Sequence, residues 1–144
     1  MSLRILCIGS PFGGDATAWA VGEQLIELGL PKTCEVRLLD RPGMRLLEAM
    51  QGAAAVLLLD ASQDIAPGRL HRVESLDELQ PASPRSSHGI GVAEALRLAE
   101  RLGRLPARLS VYAIGAGATL PPASTLAALA AQLLEEIKKG RGQT

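Results

Sequence analysis

Four side chains have the types and the spacing for chemistry: Ser10, Asp15, Asp60 and His88. Ser10 and Asp15 lie in a Gly/Pro-rich stretch, "GSPFGGD", that follows a short apolar run. Asp60 closes the continuously apolar stretch "AAAVLLLDA", and His88 ends the Ser/Pro-rich segment "LQPASPRSSH". Two carboxylates and an imidazole offer oxygen and nitrogen donors that suit nickel, zinc or other borderline divalent metals, with geometry rather than the affinity order selecting among them. A carboxylate at the end of a buried strand is costly unless paired or ligated, which favours a site role for Asp60. Asp15 has a second reading, as a cap that accepts backbone N–H bonds in the first turn of the helix after it. His71, next to Arg72 in an edge-like strand, reads as solvated surface.

Other chemistries fail on particular residues. Counted from Gly9, the spacing to Gly14 is that of a phosphate-binding loop, but the next residue is Asp15, and a carboxylate would repel the phosphates that a lysine binds there. The dinucleotide pattern G-x-G-x-x-G fails because the glycines fall at 9, 13 and 14. An aspartate ending a central strand also occurs in phosphoacceptor receiver domains. Those need an acidic pair after the first strand and a lysine after the last, where Ser10-Pro11 and Gly115-Ala116 stand here. No G-x-S-x-G elbow surrounds Ser10, and neither cysteine has the turn context of a nucleophile. No catalytic residue is assignable from the sequence.

The elements that must position these groups alternate. Strands are expected at Leu3–Gly9, Cys34–Asp40, Ala53–Ala61 and in "RLSVYAIG", with helical spacing in "DATAWAVGEQLIELG", "GMRLLEAMQG", "GIGVAEALRLAERLG" and "PASTLAALAAQLLEEIKKG". Gly140 is placed to stop the last helix. "RLHRVE" (Arg69–Glu74) follows its neighbour with no helix between, as an antiparallel edge strand would. This predicts a three-layer α/β/α sandwich on a mostly parallel five-stranded sheet with one antiparallel edge strand. Residues 1–140 form one α/β domain, with 141–144 as a frayed tail. In such sheets ligands bind outside the carboxyl ends of the strands, and that rule gathers Ser10, Asp15, Asp60 and His88 toward one rim.

The composition narrows the classes further. The 144 residues suit one domain with a sizeable core. Lys+Arg and Asp+Glu are 15 each, so the basic excess of a nucleic-acid binder is missing. Aromatics are 2%, which leaves the core to Leu, Ala, Val and Ile. No apolar run reaches membrane-spanning length, and no signal-peptide pattern opens the chain, so a cytoplasmic protein is expected. Cys7 and Cys34 read as small buried side chains rather than a disulfide.

Taken in order, "ILCIGSPFGGD", "VLLLDA" and "SSHGIGVAEAL" resemble the motifs of the hydrogenase maturation endopeptidases. These remove a C-terminal peptide from the large subunit of nickel-iron hydrogenases once nickel is installed. The resemblance implies that Asp60 and His88 are metal ligands and that Asp15 is the first acid of the family's acidic pair. The second acid, the remaining ligand, is Ala16 here, and Ser10 stands at the family's asparagine. The family's Gly-Gly-Thr loop is shortened to "DRPGM", and its Gln-Pro-Glu-Ser-type loop after the last strand to "GAGATLPPAS". The resemblance implies a hydrogenase large-subunit precursor as partner and no nucleic acid or membrane. It further implies nickel supplied with the substrate, or another divalent transition metal weakly bound. The alternative is a non-catalytic relative, a binding or chaperone-like protein with a degenerate metal site, which Ala16 and the shortened loops favour.

Overall fold

The computed structural model describes residues 2–79 and 91–141. Its five strands are β1 (Leu3–Gly9), β2 (Cys34–Asp40), β3 (Ala55–Ser62), β4 (Leu70–Val73) and β5 (Arg108–Gly115). The helices are α1 (Thr17–Leu28), α2 (Arg45–Met50), α3 (Val92–Arg101) and α4 (Ala123–Arg141). The strands form one sheet in the order β2-β1-β3-β5-β4. Neighbours are parallel except β4, which runs antiparallel to β5 at the edge, as its direct connection from β3 requires. The chain leaves β1 toward β2 and then crosses back past it to β3. The strand order therefore reverses between β1 and β3, and a crevice opens there at the carboxyl ends.

Both faces of the sheet are covered, which is why β3 reads as an unbroken apolar run. On one face, Ala18, Val21 and Leu25 of α1 and Leu126, Leu129, Ala130, Leu133 and Ile137 of α4 pack over Ile5, Cys7, Leu57, Leu59 and Ile114. Positions 126, 129, 130, 133 and 137 fall on one helical stripe. On the other face, Leu46, Leu47 and Met50 of α2 and Ala95, Leu96 and Ala99 of α3 cover Leu6, Ile8, Leu58 and Val111. Cys7 is buried and free, and burial pushes its thiol up to about 12. Cys7 and Cys34 form no disulfide, as expected, but Cys34 is only half-buried, because it opens the edge strand β2.

Three local details depart from the sequence reading. Residues Gly13–Ala16 form a separate 3-10 turn before α1. Helix α4 continues through Gly140 to Arg141, so Gly140 does not stop it, and residues 142–144 lie outside the described chain. A short 3-10 turn, Leu76–Glu78, follows β4.

Candidate functional site

The opening turn is shaped by its glycines. A Cβ on Gly14 would come to 1.8 Å from the carbonyl oxygen of Gly117, and one on Gly9 to 2.2 Å from that of Asp15. Only glycine permits these approaches. The Gly14 N–H donates to the Ala118 carbonyl at 3.0 Å, so the turn grips the loop after β5 rather than a phosphate. Ser10 N–H donates to the Asp15 carbonyl at 3.1 Å, and Ser10 Oγ donates to Asp15 Oδ2 at 2.6 Å. Ser10 is buried, so this short bond to a carboxylate lies largely out of water. Asp15 sits inside the 3-10 turn. The residue at the N-cap of α1 is Ala16, which corrects the reading of Asp15 as the cap of that helix.

Asp60 lies where β3 emerges from the core, hydrogen-bonded in register between Ile8 of β1 and Ala113 of β5. It alternates with buried Leu59 and shares the face of Leu58 and Val56, which bears α2 and α3. Part of its surface opens to a cleft of about 420 Å³, and the surrounding protein still strips most of its hydration. Its carboxyl is raised from 3.8 to about 7. Burial is the main cause, with the charge of Asp15 adding to it and a hydrogen bond from the Ala61 backbone opposing it. Asp60 therefore sits near the protonation balance expected of a working carboxyl at neutral pH.

Asp15 and Asp60 both line this cleft, together with Asp64, Arg41, His71 and Glu78. A second cavity of about 330 Å³ continues from it past Ser10, Asp15, Arg41 and Ser62. Three of the four residues expected at the rim are thus placed there. The fourth, His88, lies outside the described residues. Ala16 lines neither cavity, whereas Asp15 lines both. Among the described residues, no group of three or more His, Cys, Asp or Glu is placed to hold a metal ion. Asp15 and Asp60 supply oxygen donors to the cleft.

Arg41, His71 and Glu78 were not picked out by the sequence. Arg41 is the single non-glycine residue among those described with a left-handed backbone, at φ 43°. Its N–H donates to the Gly9 carbonyl at 3.0 Å, and its Nε lies 2.8 Å from Asp40 Oδ1. That carboxylate, with Asp15 further off, raises the Arg41 guanidinium above its ordinary value. His71 is exposed, as the sequence suggested, but it is exposed into the cleft. The signal was the antiparallel direction of β4, which brings the start of that strand, not its end, to the carboxyl rim of its neighbours.

No family model matches the sequence, and no curated protein matches it. Solved structures do. The E. coli hydrogenase maturating endopeptidase HybD superposes with a TM-score of 0.66 at 26% identity, over 95% of this chain and 90% of that one. The [NiFe] hydrogenase maturation protease HybD from Thermococcus kodakarensis gives 0.64 at 24% identity, over 95% and 99%. The hydrogenase 2 maturation peptidase from a Thaumarchaeota archaeon gives 0.61 at 20% identity, over 100% of each. The five-stranded mixed sheet with its flanking helices is the fold of these proteins along nearly the whole chain.

Proposed function

We propose that this chain is a hydrogenase maturation protease-like endopeptidase, cleaving a C-terminal peptide from a nickel-iron hydrogenase large-subunit precursor in the cytoplasm. The observation that carries the reading is the position of Asp60. Asp60 lines the cleft in the crevice where the strand order reverses, in a chain whose fold is similar to that of maturation endopeptidases along nearly its whole length. No helix among the described residues is long and apolar enough to cross a membrane.

In this reading nickel is part of the substrate. Asp60 and Asp15, joined by His88, would complete the coordination of an ion already held by the precursor, and the ion would polarise the scissile carbonyl. The ion also fixes which bond is presented, because the peptide next to it must lie along the cleft. Burial suits the task, since a carboxylate with little competing water binds a cation more strongly than an exposed one. The test is to incubate purified nickel-loaded precursor with this protein and weigh the products. A precursor lighter by its C-terminal peptide supports the reading; an intact precursor after prolonged incubation sinks it.

A second reading has its own observation. Ala16, where the resemblance has a ligand, lines neither cavity, which favours a relative that binds the precursor without cutting it. Co-elution with an uncut precursor on gel filtration is its signature.

A further inference from the structure

His71 and Asp60 share one cross-strand row. Each pairs with Ala113, Asp60 from β3 and His71 from β4. Residues paired directly across a sheet point to the same face, so both side chains lie on the α2/α3 side, separated by the methyl of an alanine. Both line the main cleft.

Glu78 holds the imidazole. Its Oε1 lies 3.0 Å from His71 Nε2. Its Oε2 accepts from the backbone N–H groups of Glu74 and Ser75, the latter at 3.1 Å. Ser75 closes a capping box with Glu78, its Oγ accepting from Asp77 N–H at 3.2 Å. The imidazole bond and these backbone bonds together hold the Glu78 carboxyl below its usual range, with His71 the largest contributor. A carboxylate locked by its own backbone can accept only from the imidazole N–H that faces it. In the neutral ring this bond puts the proton on Nε2 and leaves the Nδ1 lone pair as acceptor.

We infer that His71 is the proton acceptor for the water that attacks the scissile peptide, with Glu78 as its positioning residue. The inference rests on the function proposed above. His71 Nδ1 takes a proton from water as the water oxygen bonds to the carbonyl carbon, and the carbonyl π electrons move to its oxygen. On collapse the C–N bond breaks and His71 returns that proton to the leaving nitrogen. Peptide and water give one carboxyl and one amine, and the enzyme is unchanged. The charged groups that share the cleft with His71 are Glu78, Asp60, Asp64, Asp15 and Arg41. Arg72, its neighbour in β4, pairs with Tyr112 and so points to the opposite face.

The experiment is precursor processing by wild type, His71→Gln, His71→Ala and Glu78→Gln, each checked for folding by circular dichroism. Removing a general base costs typically ~100- to 10,000-fold. His71→Gln is expected to lose at least ~100-fold in kcat with KM little changed, and to lose the acid limb of the pH–rate profile. His71→Ala should recover activity when imidazole is added, and Glu78→Gln should lose roughly tenfold while keeping the limb. Rescue by added imidazole is the readout a merely structural histidine would not give. Wild-type cleavage with His71→Gln equally fast overturns the inference and leaves the proposed function standing. Loss in a folded His71→Ala protein that imidazole does not restore also overturns the inference. Failure of wild type itself to cleave overturns the function, and the inference with it.

Discussion

Adjacent rows of the same strands serve opposite ends. Leu59, Tyr112 and Arg72 face α4; one residue further along β3 and β5, Asp60, Ala113 and His71 face the side of α2 and α3. Leu59 and Tyr112 are buried, and the Tyr112 hydroxyl reaches Glu136 of α4 at 3.4 Å. Asp60 and His71 line an open cleft, which Tyr112 also borders. The cause is helix length. Helix α4 has 19 residues and, at ~1.5 Å per residue, spans a strand end to end. Helices α2 and α3 have 6 and 10, and among the described residues the cleft over Asp60 stays open. The pleat thus lets one set of strands finish a core on one face and a site on the other.

The largest test of this contrast is on the closed face. Leu133 is fully buried among α1, α4 and the sheet. Leu133→Ala should cost ~2–5 kcal/mol of stability in urea denaturation, with no dependence on pH between 5 and 8. A cost below ~1 kcal/mol would mean that this face is not the better-packed one.

The open face should respond in the opposite direction. Asp60 has its carboxyl raised from 3.8 to about 7, so the folded state holds a proton that the unfolded state has released. Stability from that proton is full below the unfolded value and is lost as pH rises through the folded one. Asn keeps the neutral form at every pH. Asp60→Asn should therefore match wild type near pH 4 and exceed it above pH 7, by up to about 4 kcal/mol. Thermal unfolding of both proteins across that range reads the difference. A variant less stable than wild type at pH 8 would show that the charged carboxylate is stabilised by a partner in the fold. A gain would mark Asp60 as held for function at the expense of stability.

A smaller effect is expected at the rim between the faces. Ser10→Ala removes the 2.6 Å bond to Asp15 Oδ2. Bonds to charged groups contribute ~1.5–3 kcal/mol, and a loss in that range is expected in denaturant titration. Within noise of wild type, the result would show that Asp15 is held by its other contacts.

Much of this was legible in the sequence, for identifiable reasons. Strands β1, β2 and β5 were read at their observed bounds because their apolar runs end at sharp punctuation, as at Gly9 and Gly115. Asp60 stood out because it interrupts an apolar strand. Arg41 was hidden because its backbone is pinned to Gly9 of the neighbouring strand β1, a contact with no local signature. The His71–Glu78 pair was missed, although "SLDE" carries a capping-box pattern that fixes the carboxylate holding the imidazole. What no spacing reveals is that an antiparallel strand sets His71 in the row of Asp60.

The smallest expected effect concerns the opening turn. Ala16 is half-buried at the N-cap of α1, one residue past Asp15, and its methyl reaches neither cavity. A glutamate there adds one methylene and a carboxylate, which can extend along the turn toward Asp15. It would add an oxygen donor and a negative charge beside a divalent cation, where three or more protein ligands are usual. A neighbouring acid also carries a cost, because Asp15 and Asp60 already repel each other. The net gain should therefore be modest. Ala16→Glu is expected to tighten nickel binding roughly tenfold, about 1.4 kcal/mol, in calorimetric titration at neutral pH and matched salt. Equal, tight binding by both proteins would show that wild type already fills the coordination position with another group. Equal, weak binding would show that the turn points its second residue away from the site. The open face would then offer the ion no protein ligand from position 16, beyond Asp60, Asp15 and His88.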